Sequence, residues 1–370
     1  MRGGQTKRGR IAFYAPMKAP DHPVPSGDRT IARAIMAALS EAGFEVELVS
    51  RLRVLDTAGD PNSQASLMAS AKGEVARITA TLPDCAAFVT YHCHYRAPDL
   101  IGPAVSEALS LPYAIVEPSI SPRRRDGPWR AFAEASEAAI AAAHRLFWTT
   151  GRDRPQLEAA GHAARMIALP PFLDPGPAPP PRGAMAGRAL RLVTVAMMRS
   201  GDKLESYRRL ARALRVYAGD AEGRDWVLTI LGDGPLRGEV EALFAPFGTT
   251  LPGAVQFAGL ATPDQIRAAL EAADLMVWPG VGEGIGYAWL EAAAAALPVI
   301  AEDGPAARDV VSGILTAPGD ARAFASAIQR AVVERDRLGD EARTRVVAQH
   351  SIAAAAATLS DALTPLMRAA

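Results

Sequence analysis

The sequence is poor in cysteine and has no long apolar run. Two cysteines, Cys85 and Cys93, in 370 residues exclude a disulfide framework and a four-cysteine zinc site. Because no stretch of about 18 apolar residues is free of charge, the sequence predicts no membrane span. The basic start MRGGQTKRGR lacks an apolar core, so we expect no signal peptide and a cytoplasmic protein.

A surplus of charge is also missing. Lys plus Arg is 40 and Asp plus Glu is 40, which gives a net charge of +0. Since nucleic-acid-binding proteins draw much of their affinity from a basic surplus, this class is disfavoured. Lysine occurs only as Lys7, Lys18, Lys72 and Lys203 among the basic residues, so a lysine deep in the chain departs from the preference for arginine.

One proline-rich segment divides a chain that is too long for a single ordinary core. Residues 170–181 read PPFLDPGPAPPP, and these prolines exclude a helix interior or a central strand. We therefore place a first domain at 1–174, an extended linker at 175–189 and a second domain at 190–350.

Short apolar runs alternate with helical patterns on both sides of this linker. Helices are expected at 29–43, 205–218 and 263–273. The expected strands lie at 11–15, 46–50, 86–92, 113–117, 146–150, 190–197, 226–232, 255–259, 275–280, 298–302 and 313–317. Apolar strands separated by helices predict two doubly wound α/β domains, each with a parallel sheet that binds ligands at the carboxyl ends of its strands.

The segment at 278–303, WPGVGEGIGYAWLEAAAAALPVIAED, carries the most chemical information. Glycines before the helix expected from about Gly286 to Leu297 let the backbone approach a ligand, and the helix N-terminus favours an anion such as phosphate. Glu283 in the loop and Glu291 in the helix could hold the hydroxyl groups of a polyol. The alternative is a solvated loop acid and a surface helix acid.

This segment resembles the signature of retaining GT-B glycosyltransferases of the family-4 type, in which seven residues separate two glutamates. Here Glu283 and Glu291 flank GIGYAWL. The segments WVLTILGDGPLR (226–237), VQFAGL (255–260), GILTAPGD (313–320) and HSIAAAAATL (350–359) are similar to further parts of the family. The resemblance implies a GT-B fold of two Rossmann-like domains facing across a cleft, with a helix at 351–370 that crosses back to the first domain.

The resemblance also implies an activity: retaining transfer of a sugar from a UDP- or GDP-linked donor to an acceptor hydroxyl, without a metal or any cofactor besides the donor. Glu283 would hold the transferred sugar and Glu291 the ribose. Arg199 and Lys203 would neutralise the donor diphosphate, although their spacing is one residue shorter than usual. Two ordinary surface cations are the alternative for this pair.

Four glycines and an isoleucine complete the implied donor site. Gly284, Ile285 and Gly286 would lie at the phosphates, at the start of the helix. Gly232 and Gly234 belong to the Gly-Asp-Gly-Pro turn after a strand of the second domain.

In the first domain, the family has a glycine-containing loop that closes over the donor phosphate, and Gly27 is the matching candidate. A capped turn at Ser26 or Asp28 is the alternative. Asp28 is assigned no catalytic role, because it could cap the helix or pair with Arg29.

Three further features of the first domain concern the acceptor. The segment YHCHYRAPD (91–99) places His92 and His94 on one side of a strand, followed by Tyr95. We reject a metal site there because no further ligand cluster is evident, which leaves a role facing the cleft or a structural role. Glu117 stands where many family members carry a histidine, and it could hold a sugar hydroxyl, act as a base or be structural. The arginines at 123–125 suit solvent, an anionic acceptor or membrane headgroups.

The expected partners are a nucleotide-sugar donor and a sugar or lipid-linked acceptor, in polysaccharide or glycolipid biosynthesis. The protein would act in the cytoplasm, with the inner face of the membrane as a site of peripheral contact. The alternative is a catalytically degenerate nucleotide-sugar-binding protein of the same fold. Turnover of the donor separates the two hypotheses.

Overall fold

The computed structural model describes residues 8–24, 26–82, 84–183, 187–220, 225–250 and 253–369. Residues 1–7, part of the N-terminal segment discussed above, and 184–186, within the expected linker, lie outside the described residues. The chain folds into two compact units, Met1–Pro170 with Ile352–Ala370, and Pro171–Ser351.

The first unit is built on a six-stranded sheet in the order β2-β1-β3-β4-β5-β6, and all of its strands are parallel. Its strands are β1 (Arg10–Tyr14), β2 (Glu45–Leu48), β3 (Ala87–Cys93), β4 (Tyr113–Pro118), β5 (Arg145–Trp148) and β6 (Met166–Ala168). The connecting helices are α1 (Gly27–Glu41), α2 (Pro61–Thr81), α3 (Gly102–Ala108), α4 (Arg130–Ala142) and α5 (Arg154–Ala159).

The central strands of this sheet are buried on both faces, which explains why they are apolar throughout rather than alternating. Phe13 of β1 pairs in register with Val89 of β3, and Val89 in turn pairs with Ala114 of β4. All three side chains are fully buried. The carboxyl ends of β1, β3 and β4 therefore lie side by side at one edge of the sheet.

The second unit repeats this architecture with a six-stranded parallel sheet in the order β12-β11-β10-β7-β8-β9. Its strands are β7 (Leu190–Val195), β8 (Trp226–Leu231), β9 (Ala254–Gly259), β10 (Leu275–Val277), β11 (Val299–Glu302) and β12 (Gly313–Thr316). Its helices are α6 (Asp202–Asp220), α7 (Arg237–Phe244), α8 (Pro263–Ala272), α9 (Tyr287–Ala294), α10 (Pro305–Val310), α11 (Ala321–Val333) and α12 (Arg335–Gln349).

The last helix, α13 (Ile352–Ala369), belongs to the first unit, where it packs against α1. Arg8, two residues before β1, also holds this helix, since its guanidinium donates to Ser360 and, at 3.3 Å, to Thr364. The two parallel sheets and this returning helix match the GT-B fold that the resemblance implies.

From Pro171 onward, the proline-rich segment belongs to the second unit. It contains no helix or strand, and Leu173 forms an isolated bridge with Ser351. Arg343 donates to the carbonyl oxygens of Pro175 and Gly176, at 2.6 and 2.7 Å. Arg182 donates to the carbonyl oxygens of Ala273 and Ala296, at 2.9 and 2.7 Å. These arginines bind the segment to the carboxyl-terminal ends of α8 and α9, where free carbonyls favour a cation.

Three local features differ from the sequence-based expectations. Helix α9 ends at Ala294 instead of about Leu297, because Ala296 adopts a left-handed φ of 51°. Helix α2 and the short strand β6 were not expected, since their apolar patterns are weak. Among the described residues, none of the helices combines the length and the apolar character that a membrane span requires.

Candidate functional site

The loop between β10 and α9 brings a lysine, a glutamate and a tryptophan together. The Glu283 carboxylate accepts hydrogen bonds from Lys203 Nζ and, at 2.9 Å, from Trp278 Nε1. Lys203 Nζ also lies 5.6 Å from the centroid of the Trp278 ring. Glu283 is 15% exposed and Lys203 32%, so the pair remains open to a ligand. Glu283 is thus not a solvated loop acid.

Helix α6 fixes this loop from the other side. Ser206 is fully buried, and its hydroxyl accepts from the backbone N–H of Val281 at 2.9 Å while donating to the carbonyl oxygen of Asp202. Because residues three positions apart on a helix share a face, Ser206 anchors the loop on the same side of α6 that presents Lys203. The ammonium group is therefore held next to the loop by the fold.

The start of α9 is uncapped by any side chain. Gly286 precedes the helix with a left-handed φ of 78°, and a Cβ there would meet the Trp289 ring at 2.4 Å. Glycine is thus required by backbone conformation and by packing. Gly284 is exposed and Ile285 is partly buried. Free amide groups and the helix dipole at such a start favour an anion.

Two tight turns meet beside this loop, after β7 and after β8. Gly232 and Gly234 have φ values of 143° and 158°, and a Cβ on either would meet the carbonyl oxygen of Ala196 or Met198 at 1.9 or 2.3 Å. The two glycines therefore let the backbones touch. Arg199 follows Met198 in the turn after β7. Its exposed side chain has no ion-pair partner in the part of the chain that the structure describes.

Glu291 faces a different part of the second unit. It lines a pocket of about 140 Å³ between α8, α9 and residues 173–177, together with Arg267 and Glu271. Burial raises the pKa of Glu291 to about 7, against the lowering effect of the Arg267 charge. A partly buried carboxyl group at a pocket wall differs from the surface helix acid that was the alternative.

At the carboxyl edge of the first sheet, Glu117 and His92 have left-handed φ values of 58° and 66°. Such conformations are strained for residues other than glycine and cluster at functional sites. Within the described residues, Glu117 Oε2 and His92 Nδ1 are buried without a hydrogen-bond partner. Burial raises the pKa of Glu117, the positive charge of His92 opposes this, and the charges of Asp153 and Asp28 add to the rise.

The segment before α1 is a capped turn. Ser26 caps the helix, since its side chain accepts from the Arg29 backbone N–H. Asp28 lies in the first turn, and its Oδ1 is 4.0 Å from His92 Nδ1. The two alternatives given for Asp28, a cap or a pair with Arg29, are therefore both wrong, because its carboxylate turns towards β3. A Cβ on Gly27 would meet nothing within 4 Å.

The two histidines do lie on one side of the chain, with ring centroids 4.6 Å apart, although His92 interrupts the extended conformation. In the described ranges, no group of three or more His, Cys, Asp or Glu side chains is arranged to hold a metal ion.

The structure thus joins Lys203 and Glu283 directly and places Glu291 at a separate pocket of the same unit. Glu117 and Gly27 lie in the first unit. The sequence analysis missed Trp278 and Arg267. Trp278 was treated only as the end of a strand, although an indole N–H next to a glycine-rich loop is a signal for a polar role. Arg267 carried no signal, since it is one of many arginines on helices.

The comparisons with known proteins concern the family and the fold. Residues 189–333 match the family model described as "Glycosyl transferases group 1". A 2-deoxystreptamine glucosyltransferase from Streptomyces kanamyceticus is 34% identical over 112 residues, covering 29% of this chain and 28% of its own. The lipopolysaccharide core biosynthesis glycosyltransferase LpsE from Rhizobium meliloti (strain 1021) is 34% identical over 131 residues, covering 34% of this chain and 37% of its own. The chain thus spans about a third of the length of these relatives.

Among solved structures, Alr3699/HepE from Anabaena in complex with UDP and glucose is similar over 96% of this chain and 99% of its own, with a TM-score of 0.63 and 14% identity. At this identity the similarity concerns the fold alone. The range 189–333, which contains the second parallel sheet and the Glu283–Glu291 motif, is thus similar to the group 1 glycosyltransferases.

Proposed function

We propose that the protein is a glycosyltransferase that moves a sugar from a UDP- or GDP-linked donor to an acceptor hydroxyl with retention of configuration and without a metal ion. The contact of Lys203 and Trp278 with the Glu283 carboxylate carries this proposal. This contact lies within residues 189–333, the range that the family model matches, and it involves Glu283, the first glutamate of the motif.

On the donor side, Glu283 would accept hydrogen bonds from the hydroxyls of the transferred sugar. Lys203 would turn from Glu283 to the diphosphate, joined by Arg199 and the free amides near Gly284 and Gly286. These groups stabilise the negative charge that develops on the departing diphosphate, since preorganised donors act strongly where water is displaced. In a retaining reaction of this type, the departing diphosphate itself removes the acceptor proton, so no protein nucleophile is required.

Glu291 would hold the ribose hydroxyls of the donor. Two features support this: its place in the motif and the pocket beside it. A carboxylate accepts two hydroxyl hydrogen bonds at once. Ile285, Gly232 and Gly234 would shape the donor site through the backbone.

On the acceptor side, we place Glu117 at the hydroxyl that attacks the sugar. Its Oε2 is buried and unpartnered, and a buried acceptor of this kind gains a hydrogen bond when a hydroxyl arrives. Gly27, unobstructed at the start of α1, would let its loop approach the donor phosphate. The acceptor would be a sugar or a lipid-linked sugar, as polysaccharide or glycolipid assembly requires.

Donor turnover tests the proposal. Purified protein is incubated with UDP-glucose, UDP-N-acetylglucosamine or GDP-mannose without acceptor and with EDTA, and released sugar and nucleotide are measured by chromatography. We expect slow release of sugar and nucleotide with one donor series, and loss of this release in Glu283→Gln. Glu239→Gln is the matched control, because Glu239 is an exposed acid on α7 that pairs with Arg208.

Three results would count against the proposal in different ways. Release that requires an added divalent ion would remove the metal-independent mechanism. A β-linked product, formed from these α-linked donors when an acceptor is added, would remove retention. Nucleotide binding without turnover, also in the presence of acceptor pools, would favour the catalytically degenerate binding protein.

A further inference from the structure

Two arginines and two aromatic rings form a compact cluster in the first unit, between the loop after β3 and the start of α4. The cluster consists of Tyr95, Arg96, Arg124 and Trp129 and is called the arginine–aromatic platform below. The Arg96 guanidinium lies 5.3 Å from the Tyr95 centroid and 5.6 Å from that of Trp129. The Arg124 guanidinium lies 5.2 and 5.0 Å from the same two centroids.

The two guanidinium groups of the platform have no anionic partner. In the described part of the chain, neither Arg96 nor Arg124 makes an ion pair with a carboxylate, and Arg96 Nε is buried without a hydrogen-bond partner. The neighbouring arginines differ: Arg125 pairs with Glu137 at 2.9 Å, and Arg130 pairs with Glu134 at 2.8 Å. The arginine triplet at 123–125 is therefore not uniformly solvated, because Arg124 alone turns towards the rings.

Two like charges held over the same pair of rings repel each other. Contact with an aromatic face offsets this only in part, since a cation–π interaction contributes about 0.5–2 kcal/mol. An anion between the two guanidinium groups would relieve the repulsion. Arginine presents its N–H groups as a planar fork that fits the oxygens of a phosphate. The platform therefore has the chemistry of an anion-binding site.

A row of rings connects the platform to the acceptor side of the proposed active site. The ring centroids of His92 and His94 are 4.6 Å apart, those of His94 and Tyr95 5.8 Å, and those of Tyr95 and Trp129 5.9 Å. Burial lowers the pKa of His94 to about 3, and the charges of His92 and Arg96 act in the same direction. His94 is thus a neutral ring between His92 and the two arginines of the platform.

The loop that carries the platform is held firmly. The Asp56 backbone N–H donates to the Arg96 carbonyl oxygen at 2.9 Å, and Trp129 Nε1 donates to the Asp56 carbonyl oxygen at 3.3 Å. The Asp56 carboxylate is engaged with the amides of its own turn and with Gln64. It therefore leaves the guanidinium groups unneutralised, while its backbone fixes the two sides of the platform relative to each other.

We propose that the arginine–aromatic platform binds a phosphate group carried by the acceptor, with Arg96 and Arg124 as the phosphate ligands and the rings of Tyr95 and Trp129 against its sugar. This deepens the proposed function by giving the acceptor a chemical class. The phosphate belongs either to a soluble sugar phosphate or to a lipid-linked headgroup, since both present the same oxygens.

Binding of two probes to the full chain, without any nucleotide, tests this proposal. Glucose 6-phosphate is compared with glucose by calorimetric titration, and vesicles of phosphatidylglycerol are compared with vesicles of phosphatidylcholine by co-sedimentation. We expect the anionic probe of at least one pair, glucose 6-phosphate or phosphatidylglycerol, to bind preferentially. Its affinity should fall by about 10- to 100-fold in Arg96→Gln and in Arg124→Gln, as expected for lost charge-assisted hydrogen bonds.

Arg123→Gln is the matched control, because it removes the same charge from an exposed neighbour that does not touch the rings. Preference for glucose 6-phosphate identifies a soluble ligand, and preference for phosphatidylglycerol identifies a headgroup. The proposal is overturned if neither glucose 6-phosphate nor phosphatidylglycerol binds preferentially, or if Arg123→Gln weakens binding as much as Arg124→Gln. Circular dichroism confirms that each variant is folded. Because no donor is present, failure here leaves the donor-site proposal unaffected, and absence of donor turnover leaves this result unaffected.

Discussion

Replacing Glu291 by glutamine should stabilise the protein at high pH. Burial raises the pKa of this carboxyl group from 4.5 to about 7, so ionisation is less favourable in the folded than in the unfolded state. Below pH 4.5 the group is neutral in both states and has no such effect. As the pH rises from 4.5 to 7, the unfolded state gains the charge first, and the folded state loses stability by linkage.

The magnitude follows from the size of the shift. Each pKa unit corresponds to about 1.36 kcal/mol, which gives an upper limit of about 3 kcal/mol above pH 7. Solvent in the pocket screens the charge, so we expect about 1–2 kcal/mol. Urea denaturation of wild type and Glu291→Gln at pH 5, 6, 7 and 8 measures the difference, which should grow from pH 5 and level off above pH 7.

Glu271→Gln is the control, since Glu271 is an exposed acid on the same pocket. Its replacement should change the free energy of unfolding by less than about 0.5 kcal/mol at any of these pH values. The reasoning is refuted if Glu291→Gln gives no stabilisation at pH 8, or the same stabilisation at pH 5 as at pH 8. A positive result would show that the protein keeps a destabilising acid at this pocket, as a ligand-binding role predicts.

Two further predictions concern stability. Gly232→Ala should lower the free energy of unfolding by more than about 2 kcal/mol in urea denaturation, because the φ of Gly232 is 143° and the new Cβ would meet the Ala196 carbonyl oxygen. A Cβ on Gly27 meets nothing within 4 Å, so Gly27→Ala should change this free energy by less than about 0.5 kcal/mol. Equal effects of the two substitutions would contradict this prediction. Asp274→Asn should cost about 3–5 kcal/mol at pH 7, because burial alone would raise the pKa of Asp274 but hydrogen bonds from arginines lower it to about 2. The buried Arg335 would lose one of its two carboxylate partners and keep only Asp336. The Asp274 carboxylate stabilises the fold above pH 3.8, and this contribution is lost as the pH falls towards 2. If the destabilisation by Asp274→Asn does not become smaller between pH 4 and pH 2, the ion pairs of Asp274 with the arginines do not stabilise the fold as stated.

The sequence predicted the sheets well, because strands covered on both faces are apolar along their whole length and stand out from the helices between them. The long helix α2 escaped notice since only Gln64, Ala71 and Ile78 of its residues are buried. Such sparse burial leaves no clear apolar stripe for sequence analysis to detect.

The candidate site was predictable where residues are close in sequence and unpredictable where they are not. The spacing of Glu283 and Glu291 is visible directly, whereas the contact between Glu283 and Lys203 spans 80 positions. The orientation of Asp28 towards His92 depends on the packing of α1 beside β3. The inward turn of Arg124 depends on Trp129 and on a backbone contact with the loop after β2, and no pattern in the arginine triplet distinguishes it.

The central claim is that the second unit binds a nucleotide-sugar diphosphate at Lys203, and thermal stabilisation tests it most directly. Thermal unfolding is followed with UDP, GDP, ADP and their sugar conjugates for wild type, Lys203→Gln and Arg208→Gln. Arg208→Gln is the control, because it removes an exposed cation from the same helix. One nucleotide series at 100 times Kd should stabilise wild type and Arg208→Gln by about 2.7 kcal/mol, and Lys203→Gln much less. No stabilisation of the wild type by any of these ligands, or an equal loss in both variants, would contradict the account.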